Sequence, residues 1–174
     1  MEDIPELTLL IDASVRALHT ALYTPEQISS ALKHVYGVDT TLVHDGHYLV
    51  VETLASPEKT KIVGCGGWSN RRTLYGGDRY ALRDDDILDP ATDAGKIRAF
   101  FVHPDWTRRG IGGIVLRACE GAAREAGFAK VEMGSTLSGV AFYASNGYRE
   151  IEEVEETLKD GVLLKFVRMG KVFE

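Results

Sequence analysis

Seven consecutive residues, Thr107-Arg108-Arg109-Gly110-Ile111-Gly112-Gly113, hold the densest chemistry in the sequence. Glycines let a backbone approach a ligand closely, and where such a turn opens a helix its unpaired N–H groups and dipole favour anionic oxygens. Arg108 and Arg109 add positive charge. The segment is not a Walker loop, because no Gly-Lys-Ser/Thr follows, nor a dinucleotide fingerprint, because GxGxxG is not completed. An ordinary tight connection between a strand and a helix accounts for such a turn about as well as an anion site does. No Cys-His pair or Gly-x-Ser-x-Gly elbow suggests a covalent nucleophile. Cys65 and Cys119 lack CxxC partners, so neither a zinc framework nor a disulfide set is implied. His44-x-x-His47 flanks an Asp-Gly turn without a set of carboxylate or thiol partners, so it reads as a solvated hairpin and no metal is expected.

The elements that must hold these residues are legible from periodicity. Ile4, Leu7, Ile11, Val15, Leu18 and Leu22 form one apolar stripe, predicting a helix over 4–22. Thr24-Pro25-Glu26-Gln27 is a helix start, with a capping hydroxyl, proline at the first position and Gln three residues past the cap; Gly37 stops that helix. The β-rich runs 48–54 and 61–68 flank Ser56-Pro57-Glu58 and read as an antiparallel pair, with glycines weakening the second. Residues 69–95 have little periodicity and read as a long loop or broken helix, the kind of segment that tends to be functional. Residues 97–102 are a strand, and a helix then opens at the glycines with Ile111, Val115, Ala118 and Ala122 on one face and Gly127 as its stop. A short strand over 130–133 and a short helix over 138–146 follow. The final segment sets helical spacing of Ile151, Val154 and Leu158 against the turn Lys159-Asp160-Gly161 and the β-rich 162–167; the turn decides for a hairpin.

The Arg-Arg-Gly-Ile-Gly turn, taken with its surroundings, resembles the phosphate-binding motif of the GCN5-related N-acetyltransferases (GNAT), Gln/Arg-x-x-Gly-x-Gly/Ala. The resemblance extends to Val102-His103-Pro104 at the strand end and to the long helix after the turn. It also takes in Phe142-Tyr143-Ala144-Ser145-Asn146-Gly147-Tyr148, which is similar to that family's Phe-Tyr-x-x-x-Gly-Phe. The order of elements agrees over most of the chain. Thr107 stands where the family usually has Gln or Arg, and the family's first strand is hard to find.

What the resemblance implies is a single domain over 1–174 with an α/β acyl-CoA N-acyltransferase fold, a mixed and mostly antiparallel sheet flanked by helices. Its reaction would be acetyl transfer from acetyl-CoA to a primary amine by direct attack, with no metal. Backbone N–H groups of Phe100, Phe101 and Val102 would face the pantetheine and the thioester carbonyl, where such donors stabilise developing negative charge. Arg108, Arg109, Gly110, Ile111, Gly112 and Gly113 would hold the pyrophosphate. Tyr143 matches the tyrosine that hydrogen-bonds or protonates the departing sulfur. With tyrosine near pKa 10 and a thiol near 8.5, full proton transfer is about 1.5 units uphill, so a hydrogen bond is enough.

The acceptor ammonium must also lose a proton, which costs about 4 kcal/mol for a group of pKa about 10 at pH 7. Glu132 is the first candidate base, because some family members use a carboxylate there; His103 and, more weakly, Glu52 follow. The bland readings are a paired strand carboxylate for Glu132 and a turn cap for His103. Arg71 and Arg72 could reach a phosphate or a carboxylate, Asp84 to Asp86 a cationic substrate, and Trp68 the acceptor pocket, with solvated surface or core as the alternative for each.

The whole-chain arithmetic agrees with one globular domain: 174 residues, 44% hydrophobic, 26% charged, 18 Gly and 5 Pro. Twenty Lys and Arg against 26 Asp and Glu leave a net charge of −6, which argues against a nucleic-acid partner. No signal segment or membrane-length apolar run is evident, so a cytoplasmic protein without a membrane partner is expected. A peptide N-terminus, a polyamine, an amino acid and an aminoglycoside all fit as acceptor, and a homodimer through the final strands is compatible. The rival readings are a non-catalytic acyl-CoA-binding or sensing domain and an acyltransferase acting on charged tRNA.

Overall fold

The computed structural model describes residues 2–56 and 59–174. Six strands, β1 (Tyr48–Ser56), β2 (Lys59–Ser69), β3 (Gly95–Val102), β4 (Lys130–Thr136), β5 (Arg149–Thr157) and β6 (Leu163–Val172), form one sheet in the order β1-β2-β3-β4-β6-β5. Every neighbouring pair is antiparallel except β3 with β4. Helices α1 (Ile4–Leu18) and α2 (Pro25–His34) bury Leu7, Leu10, Ile11, Ile28 and Leu32 with Ile62 and Leu164 in one core. Helices α4 (Ile111–Glu125) and α5 (Val140–Ser145) bury Val115, Leu116, Cys119 and Tyr143 with Val131, Met133 and Val167 in the other. Among the described residues no helix is long and apolar enough to cross a membrane.

The start of α2 is as expected. Thr24 Oγ1 accepts from the Gln27 N–H at 3.2 Å and the Gln27 side chain accepts from the Thr24 N–H at 3.0 Å, a reciprocal capping box. The stripe of α1 stops four residues before its predicted end. Tyr23 is buried and its hydroxyl donates to the Lys165 carbonyl at 2.6 Å, so the chain turns at 19–23 and leaves Leu22 exposed. No strand precedes α1 among the described residues. The expected hairpin at 44–47 is instead the end of α3 (Thr40–His44), capped by Asp39, and His47 stacks on Trp68 with ring centroids 4.2 Å apart. The Ser56-Pro57-Glu58 turn lies outside the described residues.

The final hairpin is present, with Gly161 at φ 84°. Its first strand reads ambiguously in sequence because β5 is a sheet edge, where charge discourages pairing with another chain. Its glutamates face cations on β6: Glu152 meets Arg168 at 2.9 Å and Glu155 meets Lys165 at 3.1 Å.

The glycines of β2 have a packing reason. A Cβ at Gly64 would lie 2.4 Å from Ile111 Cγ2, and one at Gly66 would lie 2.5 Å from the Phe100 ring and 2.8 Å from Val115 Cγ1. Their bareness lets α4 press onto the sheet. The buried face of α4 keeps the predicted Ile111 and Val115 but continues through Leu116, Cys119 and Ala123: Ala118 is exposed and Ala122 only half-buried.

Filling that contact tests it. Gly64→Ala should cost about 1–3 kcal/mol in urea unfolding through overpacking. Because the added methyl meets Ile111, the double variant Gly64→Ala/Ile111→Ala should be more stable than the sum of the two single losses predicts.

Candidate functional site

The parallel pair β3 and β4 shares two register pairs, Gly95↔Val131 and Lys96↔Glu132, and then the strands part. On its other edge β3 sets Ala99 and Phe100 against the single Gly66, a bulge with Ala99 at φ 55°. A cavity of about 600 Å³ opens in the gap. It runs from the turn before α4, past Phe100, Phe101, Val102 and Tyr143, to a wall of α1 and the long loop.

At the turn, Arg108 at φ 62° and Gly110 at φ 81° swing the chain into α4. The first intrahelical bond runs from the Ile114 N–H to the Gly110 carbonyl, so the N–H groups of Ile111, Gly112 and Gly113 are free at the helix start. All three residues, with Gly110 and Arg108, line the cavity. Arg109 lies elsewhere, its guanidinium over the Trp106 ring at 4.5 Å. Thr107 donates its hydroxyl to the Pro104 carbonyl at 3.1 Å. Gly112 is bare where a Cβ would meet Phe142 at 3.1 Å, which lets α5 approach the turn.

Tyr143 forms the wall beside the turn. Its ring meets Phe142, Tyr148 and Phe100 edge-on, with centroids 4.9, 5.6 and 6.3 Å away. Burial pushes its pKa well above the ordinary value, so at neutral pH it is a hydrogen-bond donor.

The three expected bases are not in the cavity wall. Glu132 is at the apex of the parting strands, where Arg168 and Lys96 meet its Oε2 at 2.8 and 3.1 Å. Burial raises its pKa, but those hydrogen bonds and charges outweigh burial and hold it below the usual range, making it a poor base. It lines a separate, smaller pocket, which shares only Leu74 of the long loop with the larger cavity. His103 caps the turn over 104–106: its Nδ1 accepts from the Asp105 N–H at 3.3 Å and its Nε2 lies 3.2 Å from Lys61 Nζ. Glu52 accepts from the Thr60 hydroxyl on the exposed side of β1. The arginines of the loop are used internally as well, Arg71 on Asp45 at 2.8 and 3.1 Å and Arg72 on Asp84 at 3.3 Å. Trp68 belongs to the core.

Other residues supply the far wall, and sequence reading missed them: Ser14, His19, Tyr36, Tyr75 and Arg98. Arg98 is buried, 2.5 Å from the Asp39 carboxylate, and donates to the Gly76 carbonyl at 2.7 Å, tying the long loop to β3 where the strands part. Burial lowers its pKa to about 10, still charged at neutral pH. Tyr75 donates its hydroxyl to Glu156, and Tyr80 lies beside both. His19 closes α1 between the rings of Tyr23 and Tyr36. The one signal in the sequence was the length of 69–95, which marked the loop as functional, but the residues singled out in it, Arg71, Arg72 and Asp84 to Asp86, do not line the cavity.

The family model for an acetyltransferase (GNAT) domain matches residues 44–150, from the end of α3 to the start of β5. Comparison with curated proteins returns no match. The chain is similar to the structure of a GCN5-related N-acetyltransferase from Rhodopseudomonas palustris at 20% identity and TM-score 0.69, covering 99% of this chain and 91% of that one. A PaiA N-acetyltransferase of Thermoplasma acidophilum, solved with coenzyme A, is similar at 15% identity and TM-score 0.62 over 99% and 94% of the two chains. A ribosomal-protein-alanine N-acetyltransferase of Brucella melitensis gives 18% and 0.61 over 99% and 95%. At such identities the agreement is one of fold.

His19 yields a pH test. Burial lowers its pKa from 6.5 to about 4, so folding disfavours the imidazolium. Its contribution is intact above about pH 6.5 and is lost as pH falls toward 4. Between pH 7 and 4.5 the protein should lose about 2 kcal/mol more than a His19→Gln variant, read by urea unfolding at the two pH values.

Proposed function

Because the chain belongs to the GNAT acetyltransferase family, we propose that the cavity takes acetyl-CoA as cosubstrate and transfers its acetyl group to a primary amine by direct attack in a ternary complex. One observation carries this reading: a single cavity joins the free N–H groups of α4, the parted strand β3 and Tyr143 to a second wall with room for another substrate. In this reading Ile111, Gly112 and Gly113 donate to the pyrophosphate oxygens at the positive end of α4, and Arg108 adds charge. The β3 backbone at Phe100 and Val102 donates to the pantetheine and the thioester carbonyl; the expected third donor, Phe101, is paired with Cys65, and its N–H is directed to β2 instead. Tyr143 hydrogen-bonds the sulfur as it leaves, which favours the thiolate without a full proton transfer. The Thermoplasma relative with coenzyme A in its structure agrees in fold with such a cosubstrate.

The acceptor wall favours an amine with one positive charge. Arg98 and Arg108 are the charged side chains among the cavity residues, and no carboxylate is among them. A polyamine or aminoglycoside would leave several ammonium groups without anionic partners on desolvation, at several kcal/mol each. A peptide N-terminus or an amino-acid-like amine has no such difficulty.

Acetyl-CoA at a hundred times its dissociation constant should stabilise the protein by about 2.7 kcal/mol in thermal unfolding. Free-thiol release should then appear with a tripeptide or an amino-acid amide, and much less with spermidine or kanamycin. Tyr143→Phe should lower turnover about 10- to 100-fold, the loss of a hydrogen bond to a charged group, with acetyl-CoA affinity unchanged within a few-fold. Stabilisation without thiol release from any amine would favour a sensing domain instead.

A further inference from the structure

We propose that Tyr75 takes the proton from the acceptor ammonium while handing its own to Glu156, so that a hydroxyl and a carboxylate from the long loop and β5 together serve as the general base; the inference rests on the acetyl transfer proposed above. The carboxylate that the chemistry needs is not in the cavity wall, but it stands one hydrogen bond behind it. Tyr75 lines the cavity and donates to Glu156 Oε2. The Tyr80 hydroxyl lies 2.8 Å from the Tyr75 oxygen and 3.1 Å from the same carboxylate oxygen. With its hydrogen on Glu156 and one lone pair facing Tyr80, the Tyr75 oxygen keeps a second lone pair for an incoming N–H.

The placement suits the reaction. Tyr75 covers Gly134, whose Cβ would lie 3.0 Å from its ring, and packs on Phe166 with centroids 4.1 Å apart. The next residue of β4, Ser135, points to the opposite face, where a Cβ on Gly139 would lie 2.9 Å from its Oγ and 3.2 Å from the Tyr143 ring. Tyr75 and Tyr143 therefore flank β4 at one level on opposite faces, just beyond the point where β3 and β4 part. One tyrosine is placed for the arriving amine and the other for the departing sulfur. Burial, and then the hydrogen bond to Glu156, raises the Tyr75 pKa, so it is not a tyrosinate base and needs the carboxylate behind it.

The proton and electron count closes. An ammonium N–H bond breaks as an O–H bond forms on Tyr75, and the original Tyr75 proton moves to Glu156. The nitrogen lone pair forms the C–N bond at the acyl carbon, the C–S bond breaks with its pair leaving on sulfur, and the second proton of the attacking nitrogen passes to that thiolate, leaving a neutral amide and a free thiol. Half-buried on the edge strand, Glu156 returns its proton to water. Tyr75 and Tyr80 face it from the loop; across the register on β6 stands uncharged Leu164, and the neighbouring Lys165 is held by Glu155 at 3.1 Å.

The test compares Tyr75→Phe and Glu156→Gln with the wild type, using acetyl-CoA and whichever amine of the tripeptide, amino-acid amide, spermidine and kanamycin set releases thiol fastest. At pH 7 each variant should lose about a hundredfold in kcat, with the acetyl-CoA stabilisation in thermal unfolding retained. The loss should shrink to a few-fold as pH rises past the pKa of the amine, because water then supplies the free base. If Tyr75→Phe does not fold, the isosteric Glu156→Gln carries the test. A wild-type rate in Glu156→Gln, or a defect unchanged from pH 7 to the amine's pKa and above, overturns the relay while leaving acetyl transfer standing. No thiol release by the wild type with any amine overturns acetyl transfer and the relay with it.

Discussion

Two parallel strands that stop pairing after two residues are the constraint on which the rest of this molecule depends. Past Lys96 and Glu132, β3 and β4 face each other across a gap, and backbone groups that a continuous sheet would satisfy need other partners. The gap survives because each flank is pinned. On the β4 side, Arg168 and Lys96 clamp Glu132 at the apex; on the β3 side, the Arg98–Asp39 pair and the Gly76 carbonyl bind the long loop over the opening. A buried pair of this kind is seldom a large net source of stability, but removing one partner is expensive, so it fixes one arrangement.

The same gap explains a division of labour between the two faces of the sheet. Helix α4 sits close on one face because Gly64 and Gly66 carry no side chains, and that closeness brings its free N–H groups to the cavity beside Phe100 and Tyr143. The other face is closed by the end of α1 and the loop over 70–94, which bring a neutral histidine and aromatic rings, while β3 itself contributes the Arg98 guanidinium. An anion-friendly turn and a largely uncharged aromatic wall thus meet at the divergence.

Charge in the sequence was a poor guide to charge in the site. Glu132, Arg71, Arg72 and Arg109 all looked available, and each is spent on an internal partner: Arg168 and Lys96, Asp45, Asp84 and the Trp106 ring. Besides Arg108 and the Asp39-paired Arg98, the polar groups left facing the cavity are hydroxyls, backbone amides and one imidazole that burial keeps neutral at physiological pH. This follows from desolvation, since an unpaired charge in such a place costs more than a hydroxyl or a neutral ring.

Sequence by itself determined what is local. The capping box of α2, the glycine turn into α4, the Lys159-Asp160-Gly161 hairpin and the Phe-Tyr pair of α5 are each written within a few residues, because caps, turns and helix starts are settled by short-range sterics and hydrogen bonds. From those pieces the fold and the turn that lines one end of the cavity were legible, although part of the buried face of α4 was misjudged because it depends on glycines of a different strand. Only the tertiary structure decided the far wall of the cavity. Tyr75 and Glu156 are 81 residues apart, and Arg98 and Asp39 lie on separate elements that no spacing connects. Whether a carboxylate is a base or half of an ion pair depends on which distant cations fold against it, and that is a property of strand order and register rather than of neighbouring residues.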